Sequence, residues 1–165
     1  MKKAIQFMAS LMAIFALCAC SQTTTNPSIG KSDFIKYQQW IEAEPLKDEP
    51  DMQEPETPEK IEKFLDKNFD RYIQQGKALA ISHKEVKELR DRTVKHIDTY
   101  MREYMKLYVL SFGCNGANAY CKSLEPRANA FKQKAQNMEA EISSMEKEYE
   151  RLAKQFGVEA GSILR

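Results

Sequence analysis

The chain has 165 residues, room for one modest domain once any leader is set aside. Charged residues make up 30% and there are only 6 glycines, a composition that favours long helices over sheets. A formal net charge of +1 gives no overall pull toward nucleic acid.

At the N-terminus, Met1-Lys2-Lys3 is a short basic region. Ala4 to Leu17 is an apolar run broken only by Gln6 and Ser10, too short to span a bilayer comfortably. It ends in Leu17-Cys18-Ala19-Cys20, followed by the polar stretch Ser21 to Ser28. This arrangement resembles the signal and lipobox of bacterial lipoproteins, with Leu17, Ala19 and Cys20 at the matching positions and Cys18 as a departure. The resemblance implies cleavage before Cys20, a diacylglyceryl thioether on its sulfur and acylation of the new N-terminus. Three acyl chains should hold a protein on a membrane stably where one would not. Ser21 rather than Asp after the lipidated cysteine implies the outer membrane rather than the inner. Residues 1–19 are thus expected to be a signal peptide and 20–31 an anchor with its polar tether.

Ser32 is placed to N-cap a short helix over Asp33 to Ala43, with Phe34, Tyr37 and Ile41 on one face and Trp40 nearby. Pro45, Pro50, Pro55 and Pro58 then punctuate an acidic stretch, Glu44 to Glu59, expected to be an extended linker. Ser21 to Glu59 holds nine acidic residues against three lysines, a charge of −6. The remainder from Lys60 is +5. An acidic arm and a basic body attract each other weakly, although ordinary solvated surface is the simpler reading.

The helical domain is expected over 58–157, with 158–165 as a tail. Thr57-Pro58 reads as an N-cap followed by proline at the first helical position. Ile61, Phe64, Leu65, Phe69, Tyr72 and Ile73 give this helix an apolar stripe, and Gly76 is expected to end it in the left-handed conformation. After a short connector, Ser82-His83-Lys84-Glu85 reads as a capping box opening a second helix that runs to about Phe112. Val86, Leu89, Thr93, Ile97, Tyr100, Tyr104, Leu107 and Ser111 form one seam of it, and Val94, Met101, Met105 and Tyr108 a second. In the third helix Leu124, Ala128, Phe131, Ala135, Met138, Ile142, Met145, Tyr149, Leu152 and Phe156 keep an unbroken heptad pattern, with Gly157 as its stop.

Gly113 to Ser123 reach at most roughly 36 Å when extended. That is too short to return the chain along helices of about 45–50 Å, so helices two and three are expected to form an antiparallel hairpin. The first helix is expected along its base, and the segment around Trp40 docks on the second stripe. Cys114 and Cys121, in an exported oxidising compartment, are expected to form a disulfide at the hairpin tip, worth roughly 2.5 kcal/mol in the chain-entropy model. Two isolated thiols with no neighbouring His, Asp or Glu do not make a metal site. The fold class expected is therefore all-α: a coiled-coil-like hairpin, one shorter packed helix and a short N-terminal helix.

His83 and His96 are the only histidines. Their spacing sets them about 220° apart around one helix, so they cannot share a ligand and are read as structural. No Ser-His-Asp arrangement or phosphate-binding glycine loop can be assembled, and no enzyme activity, cofactor beyond the lipid on Cys20, small-molecule substrate or nucleic-acid partner is expected. Candidate contact residues for another envelope protein, or for a second copy of the chain, are Asn115, Asn118 and Tyr120 in the tip and Met101, Tyr104, Met105 and Tyr108 on the second helix, a stretch rich in Tyr and Met. Burial of that stretch in the core is the stronger reading. The functional expectation is a non-enzymatic, membrane-anchored envelope lipoprotein that binds or scaffolds through its hairpin. The alternative is an inhibitor, immunity or exclusion protein that uses the acidic arm against an incoming enzyme, toxin or machine.

Overall fold

The computed structural model describes residues 26–43, 57–112, 114 and 119–160, and among them every regular element is a helix. The expected signal and lipobox with Cys20, most of the expected acidic linker, Asn115 and Asn118 lie outside the described residues. The elements are α1 (Pro27–Glu42), α2 (Pro58–Ala78), α3 (Lys84–His96), a π-helical segment (Ile97–Met101), α4 (Arg102–Phe112) and α5 (Ala119–Phe156).

α1 starts earlier than the Ser32 cap predicts. Asn26 caps it, its side chain accepting from the Ser28 backbone N–H at 3.0 Å, and Pro27 occupies the first helical position. The residues read as tether thus contribute a full turn of helix. Gly30 in that turn is buried, and a side chain there would collide with the ring of Phe156.

α2 opens as expected at Thr57-Pro58. It does not stop at Gly76, which stays helical, and the Trp40 ring lies directly over it where any Cβ would fall. Close approach, not a left-handed turn, is the reason for glycine here. The end of α2 is instead closed by Arg90. This buried guanidinium donates to the carbonyls of Gly76 (3.0 Å), Lys77 (3.2 Å) and Leu79 (3.3 Å), adding to the Leu79 N–H on Gly76 and the Ile81 N–H on Leu79.

The capping box at Ser82 does not form. His83 is the N-cap of α3 and its side chain makes no cap hydrogen bond. The cap comes from another helix: Asp33 of α1 accepts from the Ser82 and His83 backbone N–H groups at 2.6 and 2.8 Å. Burial raises the Asp33 carboxyl, but hydrogen bonds from His83, Lys36 and Ser82 and the Lys36 charge outweigh it and hold the group below its ordinary value.

The second helix is interrupted. The π segment inserts an extra residue, and the face turned to the core then passes through Ile97, Met101, Met105 and Val109 rather than Tyr100, Tyr104 and Leu107. Counting by threes and fours cannot see such an insertion. Met101 and Met105 are accordingly packed on the core, while Tyr104 and Tyr108 turn outward.

α5 runs back along α3 and α4, as its partners show in reverse order. Arg151 pairs with Glu85 (3.0 Å), Ser144 accepts from Arg92 (3.0 Å), Arg127 pairs with Glu103 (3.1 Å), and Cys121 is bonded to Cys114. α5 begins at Ala119, so Cys121 and Pro126 lie inside it. Its heptad ridge is buried at the two ends, by Leu124 and by Met145, Tyr149, Leu152 and Phe156, but only half-buried at Ala128, Phe131, Ala135, Met138 and Ile142. Phe34 of α1 packs on Tyr149 and Phe156, which accounts for the burial of the C-terminal end. Gly157 (φ 60°) stops the helix, with Val158 N–H donating to Ala153 O at 2.9 Å.

The core therefore sits at one pole, here the base, where Phe34, Tyr37, Trp40, Phe69, Tyr72, Leu89, Tyr149, Leu152 and Phe156 meet. Trp40 is buried against Tyr72 and Gly76 of α2, not against the Met101 stripe. The disulfide marks the opposite pole, the tip.

Candidate functional site: an aromatic ladder near the tip

Three of the exposed large hydrophobic residues among the described residues lie on α4 at positions i, i+4 and i+8. They are Tyr104 (48% exposed), Tyr108 (48%) and Phe112 (72%). This spacing stacks them on one side of a helix. Tyr104 and Tyr108 have ring centroids 6.0 Å apart at an interplanar angle of 15°, and Tyr108 meets Phe112 edge-on at 4.7 Å. Phe131 of α5 extends the row, 6.2 Å from Tyr104. The result is a pre-ordered aromatic strip, the kind of surface whose side chains lose little entropy on binding.

A rigid scaffold holds the strip. Arg102 of α4 pairs with Asp70 (2.7 Å), Asp98 (2.9 Å) and Asp66 (3.3 Å), while Lys106 also reaches Asp66 at 2.7 Å. Arg127 of α5 bridges Glu62 of α2 (2.8 Å) and Glu103 of α4. These half-exposed pairs contribute little each, but together they tie α2, α4 and α5 into one register. A cleft of about 260 Å³ beside the π segment is lined by Asp98, Arg102, Glu103, Arg127, Phe131 and Lys134. Arg102 and Arg127 are already engaged by Asp98 and Glu103, so the cleft is a salt-bridged seam joined to the strip through Phe131.

Of the residues singled out from sequence, Tyr104 and Tyr108 come together in the strip, whereas Met101 and Met105 face the core. Tyr120 is half-buried in the first turn of α5, and its enclosed hydroxyl has no hydrogen-bond partner. Burial, with the Glu62 charge, raises the pKa of that hydroxyl. Phe112 was not among the sequence candidates. Its signal is the i, i+4, i+8 relation to Tyr104 and Tyr108, masked because Phe112 also reads as the end of the second helix.

The histidines do not converge. His83 packs edge-on against Phe156 (5.2 Å) at the base and His96 lies 5.4 Å from Tyr100 higher on the bundle. Both are buried, each with an Nδ1 that has no partner. Burial pushes the His96 pKa down, partly offset by the Glu141 charge. Among the described residues no group of three His, Cys, Asp or Glu side chains is arranged to hold a metal, and no helix is long and apolar enough to cross a membrane.

No family model, curated protein or solved structure matches this chain.

Proposed function

We propose that the chain is a non-enzymatic envelope lipoprotein, anchored through lipid on Cys20 and binding another envelope protein through Tyr104, Tyr108 and Phe112. The observation that carries the binding half is the strip itself. Three adjacent aromatic rings stand 48%, 48% and 72% exposed on a helix whose opposite face is already packed. Exposed apolar surface of this kind marks interaction sites. The anchoring half is supported by Leu17-Ala19-Cys20 at the end of a basic and apolar leader. Ser21 after the lipidated cysteine, in the resemblance to lipoprotein signals, supports the outer membrane rather than the inner.

Two labelling results test the proposal together. Palmitate should label the wild-type protein and not Cys20→Ala. A Tyr104→Ser, Tyr108→Ser, Phe112→Ser triple variant should keep its helical content, its melting temperature and its membrane fraction, yet lose the protein crosslinked to the wild type. Label on Cys20→Ala, or a triple variant that retains the crosslinked protein, would defeat the corresponding half.

A further inference from the structure

We infer that the base pole of the domain rests against the bilayer surface and the aromatic tip stands off into the aqueous phase; this rests on Cys20 being the lipidated residue. Only five residues, Ser21 to Thr25, separate Cys20 from the Asn26 cap of α1. Six steps of extended chain reach at most roughly 22 Å. α1 enters the molecule at the base: Gly30 lies under Phe156 and beside His83, and Asp33 caps α3 at its first residues. The N-terminal turn of α1 is thus the leashed point. α5, with 38 residues, runs from there to the tip over about 57 Å. The leash is therefore far shorter than the body it holds, and it holds it by one end.

The surface at that end suits a lipid interface. Ile29, 38% exposed in the first turn of α1, is the large apolar side chain nearest the leash. Lys31 and Lys84 are exposed near the starts of α1 and α3, Lys84 lying 3.9 Å from Glu88. An anionic headgroup layer is the matching partner. The strip at Tyr104, Tyr108 and Phe112 is then directed toward partners away from this membrane, which a long flexible tether would not ensure.

Energy transfer to a dye in the headgroup layer tests the orientation. The full-length lipidated protein is reconstituted in phosphatidylethanolamine–phosphatidylglycerol vesicles with a fluorescent non-natural residue at Ile29 or at Phe112. Transfer should be about three-fold or more stronger from position 29, given a helix of ~57 Å between the poles. It should fall when twenty Gly and Ser residues are inserted after Ser21. Equal transfer from the two positions, as for a domain lying flat on its aromatic strip, would overturn the proposal. So would transfer from position 29 that does not respond to the insertion. Cys20→Ala separates the two claims: if wild type and variant both stay in solution, the anchor fails and the orientation with it. If only wild type binds vesicles but the order of transfer is reversed, the orientation alone fails.

Discussion

Trp40 and Tyr72 exchange hydrogen bonds across two helices while their rings stack. The Trp40 indole N–H donates to the Tyr72 carbonyl at 3.1 Å, the Tyr72 hydroxyl donates to the Trp40 carbonyl at 2.9 Å, and the ring centroids are 5.0 Å apart. The Tyr72 hydroxyl also lies 3.1 Å from the Ile41 carbonyl, so it closes the C-terminal end of α1 as a cap. Tyr72→Phe removes both bonds without opening a cavity and should cost about 1–2 kcal/mol in urea unfolding. Gly76→Ala drives a methyl into the Trp40 ring and should cost about 1–3 kcal/mol with a shift in Trp40 emission. An unchanged midpoint in both variants would mean the pair does not hold α1 in place.

Asp33 should carry part of the acid sensitivity. Its two backbone partners at Ser82 and His83, with Lys36, depress its pKa, so the folded state binds its proton less readily than the unfolded chain does. The stability it supplies is complete above its ordinary value of 3.8 and is lost as the pH falls below that point. His96, buried and also depressed, acts in a higher window: the unfolded chain takes up its proton first, so stability falls as the pH drops below 6.5. Melting temperature against pH should therefore decline in two steps. Asp33→Asn should flatten the lower and His96→Gln the upper.

Arg90 satisfies three carbonyls at the end of α2 and also meets Asp91 at 2.6 Å. Arg90→Met keeps much of the packing but strips these donors, and should cost about 2–3 kcal/mol, beyond the usual value for a surface substitution. Chemical denaturation measures it. A loss within the range of surface variants would show that water replaces the guanidinium.

The π segment sets which side of α4 is exposed. Deleting Thr99, an exposed residue within it, should convert the segment to α-helix and leave Met101 and Met105 on the core face, because the π turn absorbs the one extra residue. Arg102 should keep Asp66 and Asp70, and the strip should stay exposed. The melting temperature of the deletion should therefore lie close to that of Thr99→Ala. A far lower melting temperature for the deletion would mean that the extra residue is not absorbed here.

Reducing the Cys114–Cys121 bond should destabilise the protein by roughly 2.5 kcal/mol or less, because the closed loop is short. Trp40 emission should not change, since the base core is remote from the tip.

The helical class, the Thr57-Pro58 start, the Gly157 stop and the cysteine pair were legible because each depends on local pattern or short spacing. What escaped the sequence depends on neighbours. Gly76 reads as a terminator, and only the Trp40 ring over it explains why a glycine stands inside the helix. Ser82-His83-Lys84-Glu85 has the letters of a capping box, but a carboxylate from 49 residues away takes the Ser82 N–H in place of the local Glu85, which pairs with Arg151 instead. The heptad ridge of α5 correctly marks one face, yet pattern alone does not say where α1 adds a second layer over it. Half of the strip was legible as a Tyr- and Met-rich stretch. The π insertion, which divides that stretch into packed methionines and exposed tyrosines, leaves no signature in hydrophobic periodicity.

The sharpest discrimination comes from a photoreactive residue placed at Phe112 of the full-length protein in living cells. Binding through the strip should yield one discrete adduct with another envelope protein, and that adduct should vanish when Tyr104→Ser and Tyr108→Ser are added to the same chain. Adducts with lipid alone, or the same protein caught equally well from Lys87 on α3, would rule out the strip as the binding face.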